Sequence, residues 1–165
     1  MNQKLGPQDL HAFMQANQVP GEILHLDVPT PTVEAAAQAV GAELDSIIKS
    51  ILFLVDDRPV LAIAGGLARV DQRAIAAQYQ VGRKRVKLAS PEAVLAISGY
   101  EVGGMPPFGH RQPLPTLLDR RVLEQPVVYS GGGAEHVLLR LALADIREFS
   151  AARVLDLLSP LAAEA

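Results

Sequence analysis

The chain contains no cysteine. Disulfides, thiolate nucleophiles and cysteine-based metal sites are therefore excluded. The absence fits a reducing compartment, and a cytoplasmic location is expected. Tryptophan is also absent, and aromatic residues make up only 4% of the sequence. The core must be built mostly from Leu, Val, Ile and Ala. His11, His25, His110 and His136 show no paired ligand spacing, so no metal site is expected. There is no Gly-x-Ser-x-Gly nucleophile motif and no Gly-Lys-Ser/Thr phosphate loop. No apolar run is long enough to span a bilayer, because Lys49 and then Asp56-Asp57-Arg58 interrupt the best candidate. Met1 to Gly6 lacks the apolar centre of a signal peptide. An excess of positive charge is missing too. The formal net charge is −3, which argues mildly against a nucleic-acid-binding domain unless a local basic patch overrides it.

What is present is an ordinary globular composition. Hydrophobic residues are 49% and charged residues 20% of 165 positions, which suits one compact domain spanning 1–165. Periodicity and punctuation predict interleaved helices and strands. A helix runs from Gln8 to Gln18 behind Pro7. A second is capped by Thr32 and stopped by Gly41, a third is capped by Asp71, and a fourth is capped by Ser90. Asp145 is a candidate start for a last short helix. Strands are expected at Ile23 to Leu26, in the apolar run 47–55, at Val60 to Ala64, Val86 to Leu88, Leu117 to Asp119, Val127 to Ser130 and Val137 to Leu143. Asp56 to Pro59 reads as a turn between two of them. Residues after Ala151 fit either a strand or a helix. Hairpin connections favour a mixed sheet packed by helices over a doubly wound parallel one.

Lys49 lies inside the most apolar run of the chain. Burying an unpaired ammonium is costly, so this lysine either snorkels to the surface or is held at a pocket. The segment 103–110, Gly-Gly-Met-Pro-Pro-Phe-Gly-His, is rich in glycine and proline. Such a loop can bring backbone N–H groups close to a phosphate or an oxyanion, or it can be surface punctuation. Gly131-Gly132-Gly133 admits the same two readings, with His136 just beyond. Ser130 has no base partner evident in sequence, so a serine triad is not indicated. Asp119 is expected to cap or to pair with Arg120 or Arg121. A basic cluster, Arg69, Arg73, Arg83, Lys84, Arg85 and Lys87, is either a solvated surface or a face for a phosphate backbone. It has no interleaved aromatics for base stacking.

Taken in order, Ile48-Lys49-Ser50-Ile51-Leu52, Leu61 to Ala64, Gly99 to Gly109, Leu114 to Asp119 and Tyr129 to Gly132 resemble the YbaK family of aminoacyl-tRNA deacylases. That family is related to the editing insertion of bacterial prolyl-tRNA synthetases. The resemblance covers about Thr32 to Asp145. It implies an α+β fold with a mixed, barrel-like sheet flanked by helices. It implies hydrolysis of the ester of mischarged tRNA, typically tRNA for proline carrying a small residue such as alanine or cysteine. No cofactor is implied. Lys49 matches the family's functional lysine. Gly103, Gly104, Pro107 and Gly109 match its substrate loop, with Gly103 and Gly104 expected to hold the ester carbonyl. Ser130, Gly131 and His136 are the further substrate contacts implied. Mischarged tRNA is the expected partner, with prolyl-tRNA synthetase or an elongation factor as a source of specificity. Two alternatives stay open: a non-catalytic module that binds a tRNA end or nucleotide in the same pocket, and a hydrolase of another small ester or amide.

Overall fold

A computed structural model describes residues 3–158; Met1, Asn2 and residues 159–165 lie outside it. Local chemistry explains where the elements begin and end. Helix α1, Pro7–Asn17, starts behind Gly6, whose N–H is taken by the Asp9 carboxylate at 2.9 Å. Strand β1, Glu22–His25, follows. Helix α2, Val33–Val40, is capped by the Thr32 hydroxyl, which accepts the Ala35 N–H at 3.0 Å. It stops at Gly41 in the left-handed conformation.

Strands β2, Ile48–Val55, and β3, Arg58–Gly65, form an antiparallel hairpin. Asp56 and Asp57 close it, both with positive φ, as a two-residue turn requires. The turn is therefore tighter than expected, and β3 takes in Pro59. Pro59 faces Leu54, and its main chain points away from β2, so its missing N–H removes no ladder bond.

Helix α3, Gln72–Tyr79, is capped by Asp71, and helix α4, Pro91–Ser98, by Ser90; strand β4, Val86–Leu88, lies between them. Strand β5, Thr116–Asp119, leads into a 3-10 turn, then β6, Val127–Gly131, and β7, Val137–Ala142. Helix α5, Leu143–Ser150, begins two residues before Asp145, which sits in its first turn and not at its cap. Strand β8, Arg153–Leu155, resolves the ambiguity after Ala151 as far as residue 158. Asp119 caps the 3-10 turn through the Arg121 N–H and also accepts the Leu157 N–H at 2.9 Å. Arg120 pairs instead with Asp156.

The strands form two sheets, ordered β1-β7-β6 and β4-β2-β3-β5-β8. The larger sheet is mixed: β3-β5 and β5-β8 are parallel, the rest antiparallel. A single parallel bridge, Ile47 to Tyr129, joins the two sheets at the start of β2. This is the mixed α+β architecture expected, with the sheet divided into two parts.

The larger sheet is buried on both faces. Leu52, Leu61, Ile63 and Leu118 pack with Val128, Leu139 and α1, while Phe53, Val60 and Ala62 pack beneath Ile75 of α3. Burial on both sides explains why β2 reads as a nearly continuous apolar run instead of an alternating one. β4 pairs only with residues 53–55 of β2. The first half of β2 is not paired by β4, and a cavity lies there between β2 and β6.

Candidate functional site

The cavity measures about 170 Å³. Its walls come from five parts of the chain: residues 30–33 and Ala36 at the start of α2, residues 47–50 of β2, Gly103 and Met105 of the loop, Ser130 and Gly131 of β6, and Leu138 of β7. Lys49, Gly103, Ser130 and Gly131, which are far apart in sequence, are therefore brought together.

Lys49 is half-buried and has no carboxylate partner among the described residues. Lys4, Arg73, Arg85 and Arg120 each have one. Burial, and then repulsion from Arg69, hold the Lys49 ammonium below the ordinary lysine pKa. The side chain is thus a partly desolvated cation that faces another cation, a setting that an incoming anion would relieve. Of the basic cluster, Arg73 is tied to Asp71 and Arg85 to Asp56, while Arg69 adds its charge near Lys49.

Backbone contacts lock the loop to the glycine turn. A Cβ on Gly131 would lie 2.5 Å from the Met105 carbonyl oxygen, and one on Gly104 would lie 2.8 Å from the Ala134 nitrogen. No side chain fits at either position. The Gly133 N–H donates to the Gly104 carbonyl at 2.8 Å, and the Gly104 N–H donates to the Glu101 carbonyl at 3.1 Å. Gly104 lies outside the cavity lining, and its amide is already engaged. In this arrangement its N–H is not free to meet an oxyanion.

Pro107 and Gly109 lie elsewhere. They line a second cavity of about 180 Å³ together with Phe13, Phe108 and Phe149. The Tyr100 hydroxyl donates to the Gly109 carbonyl at 3.2 Å, and His110 donates its Nε2–H to the Pro106 carbonyl at 2.8 Å. Burial pushes the Tyr100 phenol up and the His110 imidazole down, so both are neutral structural groups near pH 7. His136 is exposed and outside the Lys49 cavity; its carbonyl holds β1 in place through the Leu26 N–H at 2.8 Å.

Sequence reasoning missed residues 30–33, Met105 and Ser50. Ser50 Oγ is buried and has no hydrogen-bond partner, the only buried side-chain nitrogen or oxygen in that state among the described residues. Leaving a hydroxyl so costs about 1–3 kcal/mol. A second polar residue beside Lys49 in an apolar run was the available signal. The lining contains no carboxylate, histidine or cysteine. The described residues contain no cluster of three or more side chains fit for a metal and no helix long and apolar enough to cross a membrane.

The profile of the aminoacyl-tRNA editing domain matches residues 27–149. The chain belongs to the aminoacyl-tRNA editing domain family. The match takes in α2, the Lys49 strand, the loop and the glycine turn, and so the whole cavity. The chain is 29% identical to the uncharacterized protein YwhH of Bacillus subtilis, over 86% of this chain and 88% of that one. It is 33% identical to the proline--tRNA ligase of Shouchella clausii, but over 55% of this chain and only 16% of the ligase. A crystal structure of a proposed trans-editing enzyme for prolyl tRNA synthetase superposes with a TM-score of 0.85 at 29% identity, covering 93% of this chain and 96% of that one. The editing-domain fold is thereby established for this chain.

Proposed function

We propose that this protein is a trans-acting deacylase that hydrolyses the ester of mischarged tRNA, with tRNA for proline carrying alanine or cysteine as the substrate class. The observation that carries this reading is Lys49. It is a half-buried cation without a counter-ion among the described residues, at a small cavity, in a chain of the editing-domain family. Span 1–165 acts as one editing domain in the cytoplasm on this reading.

Lys49 holds a phosphate of the acceptor end, and the aminoacyl group enters the cavity. The Gly103 backbone borders the ester carbonyl, where a preorganised dipole stabilises the tetrahedral oxyanion. Water adds to the carbonyl carbon, the bond to the ribose oxygen breaks, and the ribose leaves as a hydroxyl. No lining side chain is a general base, so positioning of the water by backbone and the terminal ribose hydroxyl supplies much of the rate. The small cavity sets which residue is removed. It excludes larger groups more readily than it rejects smaller ones, since one methylene is worth about 1–3 kcal/mol. Prolyl-tRNA synthetase or an elongation factor would add tRNA selectivity.

The lack of a side-chain base also favours a second reading, a module that binds the tRNA end without turnover. Deacylation of alanyl-, cysteinyl- and seryl-tRNA for proline decides between them. Release of a small amino acid is expected. Binding with no release from any of the three would favour the module.

A further inference from the structure

Hydroxyl groups around the Lys49 cavity are nearly all engaged. The Thr30 hydroxyl donates to the Glu135 carbonyl at 3.3 Å, Thr32 accepts the Ala35 N–H at 3.0 Å, and Ser130 donates to the Gly131 carbonyl at 3.0 Å. Ser50 alone of these cavity residues has an Oγ with no partner. Serine is no better than alanine for filling space in an apolar strand, so the unused hydroxyl points to a ligand.

Ser50 has a second property. The Leu52 carbonyl accepts the Ala89 N–H at 3.0 Å on the outer edge of β2. Main-chain groups alternate sides along a strand, so the N–H and C=O of Ser50, two residues earlier, point to that same edge. β4 begins its pairing only at Phe53, and the bridge to β6 is at Ile47. On that edge Ser50 falls between the two and is paired with neither strand. The residue is partly exposed while its Oγ is buried. Ser50 itself lines the cavity, so its hydroxyl lies beside the space a ligand would fill.

An aminoacyl ester brings one group that the lining does not otherwise serve, its α-amino group. There is no carboxylate to receive it, and Lys49 repels it when charged. It needs neutral oxygen acceptors, and Ser50 has two, Oγ and the main-chain carbonyl. We infer that Ser50 receives the α-amino group of the aminoacyl moiety and makes the protein select for a free amine. This rests on the deacylase reading above.

The test compares deacylation of alanyl-tRNA with that of N-acetylalanyl-tRNA, for the parent, Ser50→Ala and Ser50→Thr. The parent should prefer the free amine by about tenfold or more, the worth of one hydrogen bond to a polar group. Ser50→Ala should slow only the alanyl substrate, bringing the two rates within about threefold, and Ser50→Thr should restore the preference. Ser50→Ala should also melt at or above the parent's temperature, because it removes an unsatisfied buried hydroxyl. Three results would overturn the assignment: a parent without preference, an alanine variant that keeps it, or equal slowing on both substrates. A lower melting temperature for Ser50→Ala would do the same by making Ser50 a packing residue. A parent inactive on every charged tRNA sinks the deacylase reading and this assignment together, a result plainly different from activity with retained preference.

Discussion

One loop serves two cavities, and its two ends differ in what they leave unsatisfied. At the Pro107 and Gly109 end, Phe13 stacks on Phe108 with centroids 5.5 Å apart, and the Tyr100 hydroxyl and His110 Nε2 have partners. Everything there is spent on packing. At the Gly103 end, among the described residues, Lys49 lacks a counter-ion and Ser50 Oγ lacks a hydrogen bond. A folded chain tolerates such groups only where something else compensates, so the contrast separates scaffold from site.

Substitutions should divide along that line. Phe108→Ala, at the scaffold end, should lower stability by about 3–5 kcal/mol while sparing the rate per folded molecule, as measured by denaturant unfolding alongside deacylation. A large rate loss in the fully folded variant would erase the contrast. Lys49→Ala should reverse the pattern. Deacylation should fall about 10²–10³-fold, the loss typical of a stabilising charge or donor, with thermal stability unchanged or raised. Parental turnover would remove Lys49 from the site. Gly131→Ala joins the two ends, since its new Cβ strikes the Met105 carbonyl. It should cost about 1–3 kcal/mol and displace Gly103 from the cavity, so both stability and rate should drop.

The smallest effect is that of pH. The Lys49 pKa is lowered in the folded state, so between that value and the unfolded 10.5 the unfolded chain binds more protons. The cost of its buried charge is fully present below the folded pKa and is relieved as pH rises toward 10.5. Stability relative to Lys49→Ala should therefore rise over that window while deacylation falls, because the ammonium is lost. Parallel changes in the two would contradict the assigned role.

Much of the fold was legible because its determinants are local. Thr32, Asp71 and Ser90 cap helices through atoms two or three residues away. Lys49 in its strand was legible as a choice between surface and pocket, which the family resemblance weighted toward the pocket. The separation of Pro107 and Gly109 from Lys49 was not legible. Neighbours in a loop look like one site, and only the tertiary packing of α1 and α5 against Phe108 assigns them to another cavity. Ser50 was hidden for the same reason. Whether a hydroxyl has a partner depends on groups from distant parts of the chain.

The pairing of β1 with β7 has a consequence for biosynthesis. Glu22 to His25 must wait for Val137 to Arg140 before the smaller sheet can close. The β2-β3 hairpin needs only neighbours and can form soon after it emerges, whereas contacts so distant in sequence form slowly. During translation the Lys49 strand should therefore precede its pocket, which cannot be completed before Val137 to Arg140 have left the ribosome.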